Sequence, residues 1–142
     1  MISIKKSKTL KHRSVVKAIL ENFPTLDPMA VLMNSDLYYI AEGNNIVAFS
    51  TLKKIGNSNE LGTVYTHERY RGRGYAGMII QRIISKNRKV NVFCEDALNG
   101  FYEKQGFAKC TKCHPVTYLR KRLFNFFLRP FFGYRINSLQ AA

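Results

Sequence analysis

The sequence predicts one α/β domain, a mixed and mostly antiparallel twisted sheet flanked by helices. Three observations predict it. Leu37–Glu42 and Ile46–Leu52 are apolar, β-branched and aromatic runs joined by Gly43-Asn44-Asn45, residues that tolerate positive φ, so they read as a hairpin. Leu61 to Ser85 reads as strand, glycine-rich turn and helix. Val90–Cys94 is a short apolar strand after that helix, placed to lie parallel to Leu61–Thr66 across a right-handed crossover.

The remaining elements follow in chain order. Leu10–Phe23 has helical spacing, with Val15, Val16, Ile19, Leu20 and Phe23 on one face and Lys11, Arg13 and Lys17 off it. Pro24 stops it. After the hairpin, Gly56-Asn57-Ser58-Asn59 makes the turn into the central strand. The long helix keeps Ala76, Ile79, Ile80, Ile83 and Ile84 on one side, a core-facing stripe. Ala97, Leu98, Phe101 and Tyr102 form a short helix face, and Gly106 sits where a left-handed C-terminal cap belongs. Phe107–Lys112 and Val116–Arg120 read as a final hairpin turning at His114-Pro115.

Length and composition set the bounds. The 142 residues fit one domain, with 1–122 as its body and 123–142 as a basic aromatic tail. Hydrophobic content of 46% is enough for a core and excludes a disordered chain. No apolar run approaches the ~18 residues that span a bilayer. Residues 1–20 carry six Lys/Arg and residues 119–142 carry five, with no acid in either, which is eleven of the net +14. Three cysteines and no secretory leader point to a reducing, cytoplasmic setting.

The turn before the long helix carries the chemistry. A helix start preceded by glycines offers unpaired N–H groups and the positive end of the macrodipole, which together favour an anion. Arg71 and Arg73 add charges that fork onto phosphate oxygens, so the ligand implied is a phosphate or pyrophosphate. A Walker A loop is excluded, because no Gly-Lys-Ser/Thr closes the turn. Gly72, Gly74 and Gly77 do satisfy the dinucleotide fingerprint, with Glu95 as its acid. That motif needs its first glycine at the strand end, and here His67–Arg71 intervene.

The third reading rests on two motifs. Val64-Tyr65-Thr66, followed by Tyr70-Arg71-Gly72-x-Gly74-Tyr75-Ala76, resembles the acetyl-CoA motif R-x-x-G-x-A of the GNAT superfamily of N-acetyltransferases. Asn99-x-x-Tyr102-Glu103-Lys104-x-Gly106-Phe107 is similar to that superfamily's second motif, one helix and one strand later. The resemblance covers Asp36 to Tyr118. It implies a central strand splayed from its parallel neighbour and acetyl-CoA as acyl donor. It also implies a primary amine as acceptor, chosen by the region after the first helix, and no metal.

By that resemblance Arg71, Gly72, Arg73, Gly74, Tyr75 and Ala76 hold the pyrophosphate. The backbone of Val64, Tyr65 and Thr66 meets the pantetheine arm and polarises the thioester carbonyl. Asn99 contacts the cofactor or caps its helix. Tyr102 is the general acid that protonates the leaving thiolate, as suits a phenol of ordinary pKa about 10. Glu60 is the candidate general base, acting through water, with His67, Glu68 or ordered water alone as alternatives.

Two features stay outside this scheme. The tail interleaves Phe124, Phe126, Phe127, Phe131, Phe132 and Tyr134 with Arg122, Arg129 and Arg135. Such a segment packs back on the domain, forms a homodimer interface, or meets a membrane surface or nucleic acid, with packing favoured. A domain that keeps the CoA fold but only binds such a partner is the competing function. Cys110-Thr111-Lys112-Cys113-His114 spells a haem-attachment pattern, but in an expected hairpin it reads better as two thiols on a turn. Cys94 reads as a buried strand residue.

Overall fold

A seven-stranded sheet forms the middle of the computed structural model, which describes residues 2–22, 26–109, 119, 121–123, 125–126 and 136–141. Its strands are β1 (Ile4–Lys8), β2 (Asp36–Glu42), β3 (Asn45–Ile55), β4 (Ser58–Thr66), β5 (Val90–Glu95), β6 (Phe107–Lys109) and β7 (Ile136–Ala141). They lie in the order β1-β2-β3-β4-β5-β7-β6. Only β4 and β5 pair in parallel. The other neighbours are antiparallel. Within residues 2–109 the α-helices are α1 (Arg13–Glu21), α2 (Met29–Leu32), α3 (Tyr75–Lys86) and α4 (Asn99–Lys104).

The two faces of the sheet bury separate cores. Ile79, Ile80 and Ile83 of α3 pack on Ile40, Leu61 and Val92 of the sheet. On the opposite face, Val15, Ile19, Leu26 and Ala30 of the α1–α2 region cover Leu37 and Phe49. Apolar residues at helical spacing meet apolar residues at strand spacing, so burial on both faces defines the register.

The hairpin turns follow their glycines. Gly43 and Gly56, at φ +58° and +57°, let β2–β3 and β3–β4 reverse within two residues. The second turn uses only Gly56-Asn57, so β4 begins at Ser58 rather than after Asn59.

Three expectations change. The first helix starts at Arg13 instead of Leu10, because Thr9 is tied elsewhere. Its N–H and hydroxyl both donate to the Ser35 carbonyl, at 3.0 and 2.8 Å, and hold Thr9–Lys11 in a tighter 3₁₀ turn. Within α1, Val15 and Ile19 are buried, but Leu20 is exposed; Phe23 and Pro24 lie outside the described residues. β6 pairs with β7, a strand the sequence reading did not place there. Leu119 is helical, and Val116–Tyr118 and Arg120 lie outside the described residues.

β7 also bears on the tail. Residues 136–141, placed in the tail by their sequence position, insert between β5 and β6 and bury Leu139 and Ala141 in the α3-side core. Pairing to strands on both sides makes them part of the domain's sheet. Of the tail's aromatics and the arginines among them, Phe126 and Arg122 are described, and both are exposed. The rest, with Cys110, Cys113 and His114, lie outside the described residues. No helix among the described residues is long and apolar enough to cross a membrane.

Candidate active site

The glycine turn has the conformation that an anion site requires. Gly72 and Gly74 sit at φ +75° and +77°, the left-handed region that glycine enters without strain. Gly74 is the N-cap of α3 and contributes no side-chain cap. The Met78 N–H bonds back to the Gly74 carbonyl at 3.0 Å, so the N–H groups of Tyr75, Ala76 and Gly77 precede the first helical bond. A Cβ built on Gly72 or Gly74 would meet nothing within 4 Å, so the space over the turn is open.

Side chains brace this turn. Arg71 Nε donates to the Thr66 carbonyl at 3.2 Å, which ties the turn to the end of β4. The Arg73 guanidinium lies 5.0 Å from the Tyr70 ring centre, and Tyr70 stacks on Tyr75. The Tyr70 hydroxyl donates to Glu42, whose carboxylate raises the pKa of the phenol. Gly77 has no Cβ where Gln105 packs, and Gln81 Nε2 donates to the Gln105 carbonyl at 2.9 Å. These contacts seat α3 against α4.

Beside the turn the sheet opens. The parallel ladder joins Asn59, Glu60 and Leu61 to Val90, Asn91 and Val92, and stops there. Beyond it, β4 stays paired with β3 through Thr66, and β5 stays paired with β7 through Glu95. Successive backbone groups of a strand point to alternate sides, so part of the Val64–Thr66 backbone faces the gap.

The divergence has a local cause. Between Leu52↔Leu61 and Ser50↔Val64, β4 carries one residue more than β3, a β-bulge at Gly62-Thr63. Thr51 Oγ1 accepts the Thr63 N–H at 2.9 Å. A Cβ on Gly62 would stand 2.5 Å from that oxygen, so only glycine leaves room for the cap.

Tyr102, on α4, is 5% exposed, with its ring edge-on to Phe101 and Phe107 at 5.1 and 5.6 Å. Burial, with a smaller contribution from Cys94, pushes its pKa well above the usual phenol range. Its hydroxyl makes no hydrogen bond among the described residues. The Cys94 thiol donates to Asn99 Oδ1 at 3.3 Å. Asn99 is the first residue of α4, whose N-cap Leu98 makes no side-chain bond, so the capping role for Asn99 is not realised. Burial, helped by Asp96, Glu95 and Glu103, lifts the Cys94 thiol to about 11.

Glu60 lies at the closed end of the gap and is 3% exposed. Lys53, its partner across the β3–β4 ladder, places Nζ 2.6 Å from Glu60 Oε1. The same ammonium bonds Asp27, just before α2. The Lys53 side chain is fully buried, so one ammonium links two carboxylates on the α1–α2 face. Asn91, opposite Glu60 on β5, is buried with Oδ1 unpartnered among the described residues. His67 and Glu68 belong to the connection after β4, where His67 Nδ1 accepts the Arg69 N–H at 3.4 Å.

A family model described as an acetyltransferase (GNAT) domain matches residues 34–109, more than half of the chain. The chain belongs to the GNAT acetyltransferase family.

Solved GNAT structures agree in fold. Escherichia coli ElaA superimposes with a TM-score of 0.67 at 13% identity, over 100% of both chains. N-acetylglutamate synthase from Neisseria gonorrhoeae, complexed with coenzyme A and N-acetyl-glutamate, gives 0.73 at 13% identity; the match covers 99% of this chain and 35% of that one. The catalytic domain of Tetrahymena GCN5 histone acetyltransferase, in complex with coenzyme A, gives 0.59 at 10% identity over 83% of each chain. A search of functionally curated proteins finds no match.

Within this GNAT domain, Val64–Thr66 and Arg71–Ala76 lie around one opening, joined by the Arg71–Thr66 bond. Tyr102 and Asn99 share the short helix that follows β5. Glu60 stands apart from them, at the end where β4 and β5 are still paired. Thr51, Gly62, Lys53 and Asp27 went unnoticed in the sequence. A glycine inside a strand pattern is a bulge signal, and a lysine between Leu52 and Lys54 is marked only by the alternation of the strand.

Proposed function

We propose that this GNAT domain transfers an acetyl group from acetyl-CoA to a primary amine. The observation that carries the reading is the open β4–β5 gap beside a left-handed glycine turn that starts α3. The turn suits a pyrophosphate, through the amides of Tyr75–Gly77 and the charges of Arg71 and Arg73. The gap suits an extended pantetheine arm, which pairs with the free edge of Val64–Thr66 as a neighbouring strand would.

In this reading the amine nitrogen attacks the thioester carbon. The carbonyl oxygen gains charge and is held by an N–H of the Val64–Thr66 edge. The carbon–sulfur bond then breaks, and the Tyr102 hydroxyl gives its proton to the departing thiolate. The attacking nitrogen loses its extra proton as it becomes the neutral amide, and that proton passes through water to the phenolate, so the tyrosine is restored. Burial of the ring keeps Tyr102 protonated at neutral and mildly alkaline pH. Because the Glu60 carboxylate is held by Lys53 at the closed end of the gap, this reading leaves it out of the proton path and lets water in the gap deprotonate the incoming amine.

The test is thiol release from acetyl-CoA against a panel of small amines, peptide N-termini and lysine peptides, with calorimetry of CoA uptake. Uptake that is lost in Arg71→Glu/Arg73→Glu supports the donor site. No uptake by the intact protein, or uptake indifferent to that charge reversal, refutes it. Glu60→Gln should keep turnover within about tenfold of the parent. A folded Glu60→Gln protein more than 100-fold slower would return the base role to Glu60.

A further inference from the structure

Far from the donor turn, the structure gathers cations around two adjoining clefts. The first, of about 720 Å³, is lined by Lys86, Arg88, Lys89 and Lys109, with Ser85 and Gln140 among its polar groups. The second, of about 530 Å³, is lined by Lys8, Lys54, Lys86 and Arg88, with Asn34 and Asn59. Lys86, Asn87 and Arg88 belong to both clefts and form the ridge between them. Asp36 is the acid on this rim, and Lys6 and Lys8 already pair with it at 2.9 and 2.6 Å. The rim therefore keeps a large positive excess after its own ion pairs are counted.

The ridge is held in place. The Asn59 N–H and Nδ2 donate to the carbonyls of Lys89 and Arg88, at 3.0 and 2.8 Å. Asn87 Nδ2 donates to the Ile83 carbonyl at 2.8 Å. Lys89 adopts φ +51°, which turns the chain sharply into β5. Cations on a fixed turn lose less freedom on meeting an anion than cations on a loose loop. The ridge lies at the C-terminal end of α3, a helix of twelve residues and so about 18 Å from the donor turn.

We propose that this rim binds a nucleic acid strand through its phosphates, without reading its bases. Concave clefts with polar walls and a cationic ridge fit a polyanionic backbone. Among the described residues, the cleft walls carry no aromatic side chain for base stacking. A membrane surface fits less well: among the described residues, Met33 alone of the exposed large apolar side chains lines a cleft, and insertion needs an apolar projection instead of polar hollows. The site is separate from the donor turn, so the inference does not rest on the acetyl-transfer reading.

Fluorescence anisotropy with labelled 20-nucleotide single-stranded RNA and DNA tests this on the full chain. Both should bind with comparable affinity, and saturating CoA should leave that affinity unchanged. Contact with four or five phosphates predicts a log–log salt slope of about −3, or a loss of roughly 60-fold between 50 and 200 mM salt. Lys86→Glu/Arg88→Glu/Lys109→Glu should weaken binding at least 30-fold at 100 mM salt, with its circular dichroism melt preserved. If that variant does not fold, the milder Lys86→Gln/Arg88→Gln/Lys109→Gln should still weaken binding about tenfold. Arg71→Glu/Arg73→Glu should change it less than threefold. Indifference to the rim substitutions, or displacement by CoA, overturns the proposal. So does binding to phosphatidylglycerol vesicles with no binding to either nucleic acid.

Discussion

Replacing Lys53 by Met tests the buried ion-pair cluster directly. The ammonium side chain has no exposure and touches Glu60, whose side chain is 4% exposed, and Asp27, whose side chain is 29% exposed. Its removal leaves the Glu60 carboxylate buried opposite an apolar side chain. Breaking one partner out of a buried pair costs about 3–5 kcal/mol. Asp27 adds little, because water reaches it. With a urea slope of about 2 kcal/mol per M, the unfolding midpoint should drop by roughly 2 M. The double variant Lys53→Met/Glu60→Met removes both charges at similar volume, and should recover most of the loss, because apolar replacement of a whole buried pair is often neutral. Urea unfolding followed by circular dichroism reads both. A single variant that costs under about 1 kcal/mol, or a double variant less stable than the single, would show that Glu60 does not depend on Lys53 for its charge.

Tyr102→Phe should lower turnover by about 10²-fold while CoA affinity stays within threefold in calorimetry, because the ring packing is kept and only the proton donor goes. Gly62→Ala should cost about 1–3 kcal/mol in urea unfolding, because a Cβ 2.5 Å from Thr51 Oγ1 displaces the hydroxyl that satisfies the buried Thr63 amide. Cys94 titrates near 11 when folded against a usual 9.0, so the folded state holds its proton more tightly. Stability should therefore fall as pH rises from 9 toward 11, and Cys94→Ala should flatten that fall in midpoints measured across the range.

What the sequence shows plainly is what short-range chemistry decides. Gly43, Gly56, Gly72, Gly74 and Gly106 all take positive φ. Each marks a turn or helix end whose cause lies within a few residues, so hairpins, donor turn and the end of α4 were legible. The misses are long-range. Thr9 leaves the first helix because its partner is Ser35. β6 finds its partner in β7, across residues 110–135, and no local signal announces which later strand fills that place. Lys53 reads as an ordinary strand lysine until the register sets it opposite Glu60. In the site, the motif residues were visible, whereas Gly62 inside its strand only hinted at a bulge, whose place is fixed by the register of two strands.

The bulge and the ion-pair cluster belong to one argument about why the gap persists. Two parallel strands with apolar side chains would ordinarily pair along their whole length, since unpaired backbone groups inside a sheet are costly. Here pairing is confined to three residue pairs. At the closed end, the Lys53–Glu60 pair spans β3 and β4 while Glu60 opposes Asn91 of β5, which gives the paired portion a polar anchor. Directly after it, the extra residue at Gly62-Thr63 increases the twist of β4 and carries its next residues away from β5. Thr51 makes that irregularity affordable by satisfying the Thr63 amide, which the regular ladder would have paired. β5, deprived of β4, keeps β7 on its other edge through Glu95 and so stays a strand without closing the opening. The gap is thus built into the pairing and the bulge of the sheet itself. A substitution at Thr51 or Gly62 should alter it while leaving the glycine turn and Tyr102 in place.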